Sequence, residues 1–306
     1  MDILWKRKPP VTPPDDDDNP EEDALPFRAV HSLSVGDDFT LSGCEEYSVL
    51  DNIVECEITG DDIDTDIPGT YFVEYKAKDA NGNEDHFFVI VMVLSEYYDE
   101  AAGLSGNDLL QRLRLIINSD VNRLSYDDAK TILAESDRDP NNENNVIQVY
   151  TGNSVPSSWD YGNWNREHVW PQSRMEGISY ATSDIHNLKP ADKSENSRRG
   201  NKYFSNITDA DAYAPRDEVK GDIARILFYM TVMYDELELA NNVTSGHYMG
   251  YLDILVEWHR EDAVDEFERN RNEVLYSYQN NRNPFIDYPL FYDLIQYPEL
   301  LKPITN

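Results

Sequence analysis

Between residues 163 and 204 the sequence reads NWNREHVWPQSRMEGISYATSDIHNLKPADKSENSRRGNKYF and gathers most of the chemically capable side chains of the chain. Glu167 and His168 are adjacent, Asp184, His186 and Asn187 follow within one strand-length, and Asn196, Arg198, Arg199 and Asn201 close the segment in a polar helical pattern. One base, hard oxygen ligands and guanidinium groups suit hydrolysis of a phosphodiester. Carboxylate and carboxamide oxygens favour Mg²⁺, which keeps several waters and needs few protein ligands. An ion held by Glu167 and Asn196, with Mn²⁺ or Ca²⁺ as substitutes, would touch a phosphate oxygen and the leaving oxygen. His168, free of the metal, then takes a proton from the attacking water.

The stretch REHVWPQS (166–173) followed by DIHNLKPADKSENSRRGNKYF (184–204) resembles the paired signature of the endonuclease I family, the secreted or periplasmic non-specific nucleases. The likeness runs over roughly residues 96–304, through SYDDAKTILAESDRDPNNENNVIQVYTG upstream and WHREDAVDEFERNRNEVLYSYQNNRNPFIDYP downstream. It implies an α+β fold, a mixed helical nuclease domain built around a ββα-metal (His-Me) finger. Carried over position by position, it makes His168 the general base and Glu167 the carboxylate ligand. Asn196, six residues after Pro190, becomes the amide ligand, and Asn187 the residue that orients the base. It further implies cleavage of DNA, RNA or both through backbone contacts rather than base-edge reading, leaving 5′-phosphate ends.

A family arginine that meets the product phosphate has Arg174 as its only counterpart between the motifs, at a different spacing. Arg166, Arg198, Arg199, Asn201 and Arg282 are the candidate substrate-binding side chains. Arg282, in NRNPFID (281–287), either reaches phosphate or pins the carboxyl-terminal turn. Neighbours on a regular strand face opposite ways, so one centre served by both Glu167 and His168 predicts irregular backbone there. Pro171, unable to donate to a ladder, supports a strand end or bulge.

Two other classes compete with the nuclease. An inactive surface module that works through the region before residue 95 is the alternative that loss of Glu167, His168 or Asn196 would favour, and all three are present. A zinc hydrolase wants close-set His, Cys or carboxylate ligands such as HExxH, a spacing the chain lacks.

The elements that must position these groups occupy a chain of 306 residues, long enough for two domains. Its net charge of −33 is unfavourable for binding a polyanion. The charge is uneven: from Trp164 to Phe204 seven Lys or Arg face five acids, which puts this segment at +2 and the remainder at −35. A bound divalent cation would raise the local potential further.

Residues 1–26 form a Pro- and Asp-rich stretch that cannot build a core and is read as a disordered tether. Residues 27–94 read as a small all-β sandwich, with strands at 38–41, 71–77 and 86–93 and turns at Pro68-Gly69 and Asn81-Gly82. DTDIPGTYFVEYKAKDANGNE (64–84) resembles bacterial Ig-like repeats of surface proteins. A cell-wall or glycan contact is the functional reading of this domain and a passive spacer the plain one. Cys44 and Cys56 either pair in an oxidising compartment or stay as two buried thiols.

Residues 95–306 are the nuclease domain, with helices expected at 107–118, 127–135, 217–236, 252–259 and 261–279 and a strand at 146–150. His259, beside many acids, is a metal ligand or a packed core histidine. Asp137, Asp139 and the asparagines 141–145 lack the EF-hand spacing and read as a solvated turn. No apolar run is long enough to span a membrane. The whole points to a secreted or cell-surface bacterial protein, with a signal or lipoprotein anchor expected ahead of this segment.

Overall fold

The computed structural model describes residues 27–159, 163–241 and 246–302, so the tether read at 1–26 lies outside the described residues. The described residues fall into two compact units, one of 27–116 with 290–302 and one within 117–289.

In the first unit, β1 (Ala29–Ser34), β2 (Ile53–Gly60), β3 (Gly69–Asp79) and β4 (Glu84–Leu94) form a sheet of order β1-β4-β3-β2. β1 runs parallel to β4, and the other pairs are antiparallel. Alternation explains β3, whose Val73, Tyr75 and Ala77 pack under Phe87 and Val89. The central strand β4 is buried from Val89 to Leu94 without a break, as a strand covered on both faces must be. Residues 38–41 are not a strand. Phe39 and Leu41 do pack against Leu33 and Val91, so their alternation recorded burial without a ladder. Cys44, in the short helix α1 (Cys44–Tyr47), is disulfide-bonded to Cys56 on β2, which settles the pairing left open above. Helix α2 (Gly106–Asn118) buries Leu109, Leu113 and Ile117.

The second unit carries α3 (Ala129–Ser136), a three-stranded sheet of β5 (Arg138–Asp139), β6 (Asn142–Ile147) and β7 (Ser154–Pro156), then β8 (Asn165–His168), β9 (Leu188–Ala191) and α4 (Lys193–Arg199). Three further helices, α5 (Lys220–Met233), α6 (Leu252–Glu261) and α7 (Glu266–Gln279), complete the frame. The helix expected over 217–236 is shorter. A 3-10 turn occupies Asp217–Val219, and Tyr234 leaves the helical region at φ −126°. Where α5 starts, Gly221 is required by close approach, since a methyl group there would lie 2.1 Å from the Asp262 carbonyl oxygen.

Two buried polar networks fix the strands of the motif. Arg271 on α7 pairs with Asp137 at 3.1 Å and donates to the carbonyls of Ile185 and Leu188, while Lys189 of β9 meets Asp137 at 2.9 Å. The Asp184 carboxylate accepts from Tyr229 and Tyr234 hydroxyls and from Gln279, each at 2.9 Å. His259 is packed: Nε2 donates to the Pro289 carbonyl, and its ring lies edge-on to Phe228. Burial pushes it down to about 3.

The disulfide closes a loop of 12 residues. Chain-entropy arguments put its contribution near 3 kcal/mol. Replacing both cysteines by serine should lower the urea midpoint of the first unit accordingly, and dithiothreitol should reproduce the shift in the parent protein. An unchanged midpoint in both experiments would show that the bond carries no stability.

Candidate active site

β8 and β9 pair antiparallel with Glu167 opposite Lys189 and His168 opposite Leu188, and α4 follows at once. Asp192 starts this helix by accepting from the Ser194 and Glu195 amides, both at 2.9 Å. The order strand, long connection, strand, helix places Glu167, His168 and the residues of α4 in one supersecondary unit.

No bulge interrupts β8, contrary to the irregular backbone expected there. Pairing continues through the Val169 amide to the Asn187 carbonyl, and the chain turns away only at Pro171 and the 3-10 turn Gln172–Arg174. Regular alternation therefore gives Glu167 and His168 different surroundings. Glu167 is buried, and its Oε1 accepts from Tyr150 Oη at 2.6 Å and Arg199 Nη1 at 2.8 Å. Burial raises the Glu167 carboxyl against the opposing pull of Arg199.

His168 is stacked on Tyr126, with ring centroids 5.3 Å apart, and its Nε2 lies 2.9 Å from the Thr182 carbonyl oxygen. A carbonyl only accepts, so Nε2 must carry the hydrogen and Nδ1 keeps the lone pair. Burial lowers the affinity of this ring for a second proton, which favours the neutral form.

Asn196 stands three residues before Arg199 and hence on the same side of α4, next to the residue that grips Glu167. Its carboxamide makes no hydrogen bond among the described residues. Both side-chain bonds to Glu167 go to Oε1, so Oε2 and the Asn196 amide oxygen are hard donors of the kind a Mg²⁺ ion takes. Among the described residues no cluster of three or more His, Cys, Asp or Glu could hold a metal. The pair fits an ion that is otherwise hydrated.

Several expected substrate contacts are structural. Arg199 is fully buried, bonded to Glu167 and to the carbonyls of His168 and Val169, so it cannot meet a phosphate. The polar pattern read as surface is here a buried ion pair. Arg282 is neutralised by Asp287 at 2.7 Å and Glu273 at 2.6 Å and pins the turn after α7. Asn187 does not touch the imidazole. Its amide accepts from the Trp170 N–H and donates to the Trp170 carbonyl, at 2.7 and 3.1 Å, and so fixes the chain two residues beyond His168.

The other candidates stay nearer solvent. Arg198 is exposed and held by Glu195. Arg174 donates to the Asn201 carbonyl at 3.2 Å and lies 4.3 Å over the Tyr203 ring, which brings it to the loop where Asn201 is exposed. Arg166 lies over Tyr126 at 3.5 Å and Trp159 at 4.9 Å, and it donates to the Tyr126 carbonyl. Tyr126, Tyr150 and the Thr182 carbonyl are contacts the sequence reading missed. Tyr126 and Tyr150 both lay in the upstream stretch of the family likeness, which carried no signal of what they contact.

Removing one partner of a buried ion pair typically costs about 3–5 kcal/mol. Arg199→Met should therefore lower stability by that order in urea unfolding. A variant of normal stability that loses only substrate affinity would instead assign Arg199 to substrate.

His186, buried against Tyr229 and bonded through Nε2 to the Asn281 carbonyl, is pushed down to about 4 by burial. Between its ordinary value near 6.5 and about 4 the unfolded chain binds the extra proton, so this contribution is lost as pH falls through that window. Relative to His186→Gln, the parent protein should lose up to about 1.4 kcal/mol more per pH unit there. Parallel stability curves in acid would refute it.

Comparison with known proteins places the chain in a family. A model of the endonuclease I family matches residues 105–290, and one of the bacterial surface protein Ig-like domain matches residues 29–91. An extracellular ribonuclease of Bacillus amyloliquefaciens is 45% identical over 224 residues, covering 65% of this chain and 77% of the relative. One from Bacillus subtilis (strain 168) is 44% identical over the same shares. An extracellular deoxyribonuclease of Aeromonas hydrophila is 30% identical over 131 residues, 38% of this chain and 50% of the relative. The chain belongs to the endonuclease I family and is a nuclease, carrying a bacterial Ig-like domain ahead of the hydrolase.

Proposed function

We propose that the chain is a Mg²⁺-assisted, sequence-non-specific endonuclease that cuts RNA and also accepts DNA, with His168 as general base. The observation that carries this reading is the His168–Thr182 contact: with Nε2–H donated to a carbonyl 2.9 Å away, Nδ1 is left as a proton acceptor on a neutral ring. When bound, the ion supplies charge stabilisation of the phosphate and of the departing oxygen. Glu167 and Asn196 would hold it.

The chain's own groups do the rest. His168 Nδ1 takes one proton of a water that attacks phosphorus, the bond to the 3′ oxygen breaks with its electron pair, and a solvent water protonates that oxygen, so the products are a 5′-phosphate and a 3′-hydroxyl. Because water and not the ribose 2′-hydroxyl is the nucleophile, both sugars are tolerated. Arg174, Arg166, Arg198 and Asn201 would meet backbone oxygens, which carry no sequence information. The relatives named extracellular ribonuclease and the Cys44–Cys56 disulfide support secretion, since such bonds persist in oxidising compartments. Among the described residues no helix is long and apolar enough to cross a membrane. No feature of the sheet unit supports a glycan contact.

His168→Ala should lower turnover on RNA and supercoiled plasmid by about 10²- to 10⁴-fold, the usual worth of a positioned base. EDTA should abolish the parent activity, and Glu167→Gln or Asn196→Ala should raise the Mg²⁺ concentration needed for half-maximal rate. End-group analysis distinguishes the nucleophile. Products ending in a 2′,3′-cyclic phosphate, or near-parental rates in His168→Ala, would sink the proposal.

A further inference from the structure

Tyr180 is 56% exposed although its backbone sits in the left-handed region at φ 66°. A bulky residue held there is strained, and an exposed ring returns little burial. Its carbonyl accepts from the Ser183 amide, which closes the turn that carries Thr182, the partner of His168. The ring is thus displayed two residues from the group that orients the base. Ile178, Ser179 and Thr182, which flank it in sequence, line an open groove of about 630 Å³. The Arg123 guanidinium lies 5.2 Å from the Tyr180 ring centre, while the neighbouring Tyr126 is already engaged by Arg166 and His168.

On a chain of net charge −33, an exposed tyrosine ring with a guanidinium over one face is a favourable place for a nucleotide, whose base would take the other face. Bases in a duplex are stacked on one another and present no face, whereas an unpaired base can stack on tyrosine irrespective of its identity. We propose that Tyr180 is a stacking subsite for an unpaired nucleobase next to the scissile phosphate, so that the enzyme selects single-stranded over duplex substrate. This rests on the nuclease reading above and names its substrate class.

The test compares a short RNA strand with the same strand annealed to its complement, using Tyr180→Asn and Tyr180→Phe. Asparagine is at ease at positive φ, so Tyr180→Asn removes the ring and keeps the turn. A cooperative melt at the parent temperature checks this. The parent should cut the single strand at least about 10-fold faster. Tyr180→Asn should lose about 5- to 100-fold in kcat/KM on the single strand, mainly through KM, the range expected for one stacked base. Tyr180→Phe should retain the preference. In a His168→Ala background, a strand carrying 2-aminopurine should be quenched on binding with Tyr180 present and not with Tyr180→Asn, a readout independent of cleavage.

A parent that cuts duplex and single strand equally overturns the selectivity. A Tyr180→Asn variant that lowers kcat alike on both substrates makes Tyr180 only a support of the Thr182 turn. If the parent cuts neither substrate with Mg²⁺, the nuclease mechanism fails, while quenching that follows Tyr180 still upholds the stacking subsite and its absence removes it.

Discussion

The buried Arg199 guanidinium is the contact on which the site depends. Its Nη1 reaches Glu167 at 2.8 Å and the His168 carbonyl at 2.7 Å, and Nη2 reaches the Val169 carbonyl. One side chain from α4 therefore neutralises the carboxylate beside the base and satisfies the backbone where β8 ends. A planar fork with several fixed donors can do this, and a lysine could not. The same grip aligns the helix face that carries Asn196, so Glu167, Asn196 and the strand are set by one interaction.

Charge placement elsewhere follows the same rule. Lys189, Arg225 and Arg271 are buried, and each meets an acid: Asp137 for Lys189 and Arg271, Glu268 for Arg225. A charge in the interior is tolerated only when paired and hydrogen-bonded. The Asp137 pairs with Lys189 and Arg271 hold β9 and the turn before it, which keeps Asn187 and Leu188 in register with His168. Part of the cationic excess read from residues 164–204 is thereby internal. The potential offered to a polyanion comes from Arg166, Arg174, Arg198 and the remaining lysines, a smaller set than the composition suggested.

Much of this was legible because the motif is local. Glu167, His168 and Asn196 lie in contiguous text, and helical spacing located α2, α5 and α7 to within a few residues. What could not be read was contact over distance. Nothing in the sequence links Tyr150 to Glu167, or the Thr182 backbone to His168, and a carbonyl has no residue-type signature. Polar spacing likewise cannot tell a buried arginine from an exposed one, which is why Arg199 and Arg282 read as substrate contacts. The strand expected at 38–41 failed for a related reason: period-two burial is a property of side chains and does not by itself require a ladder.

The regular course of β8 has a chemical implication. A bulge would have aimed Glu167 and His168 the same way, whereas alternation separates their environments: a dry one with Tyr150 and Arg199, and one shared with Tyr126 beside an open groove. The carboxylate is held where its charge is balanced by a fixed cation, and the imidazole where nothing acidic raises its proton affinity. His168 is the last residue of β8, and its ring meets Tyr126 and the Thr182 carbonyl there. A neutral imidazole and a charge-compensated carboxylate can then be neighbours in sequence without a hydrogen bond that would tie up the imidazole lone pair. Strand alternation, which looked like an obstacle to a shared centre, keeps the two functions chemically distinct.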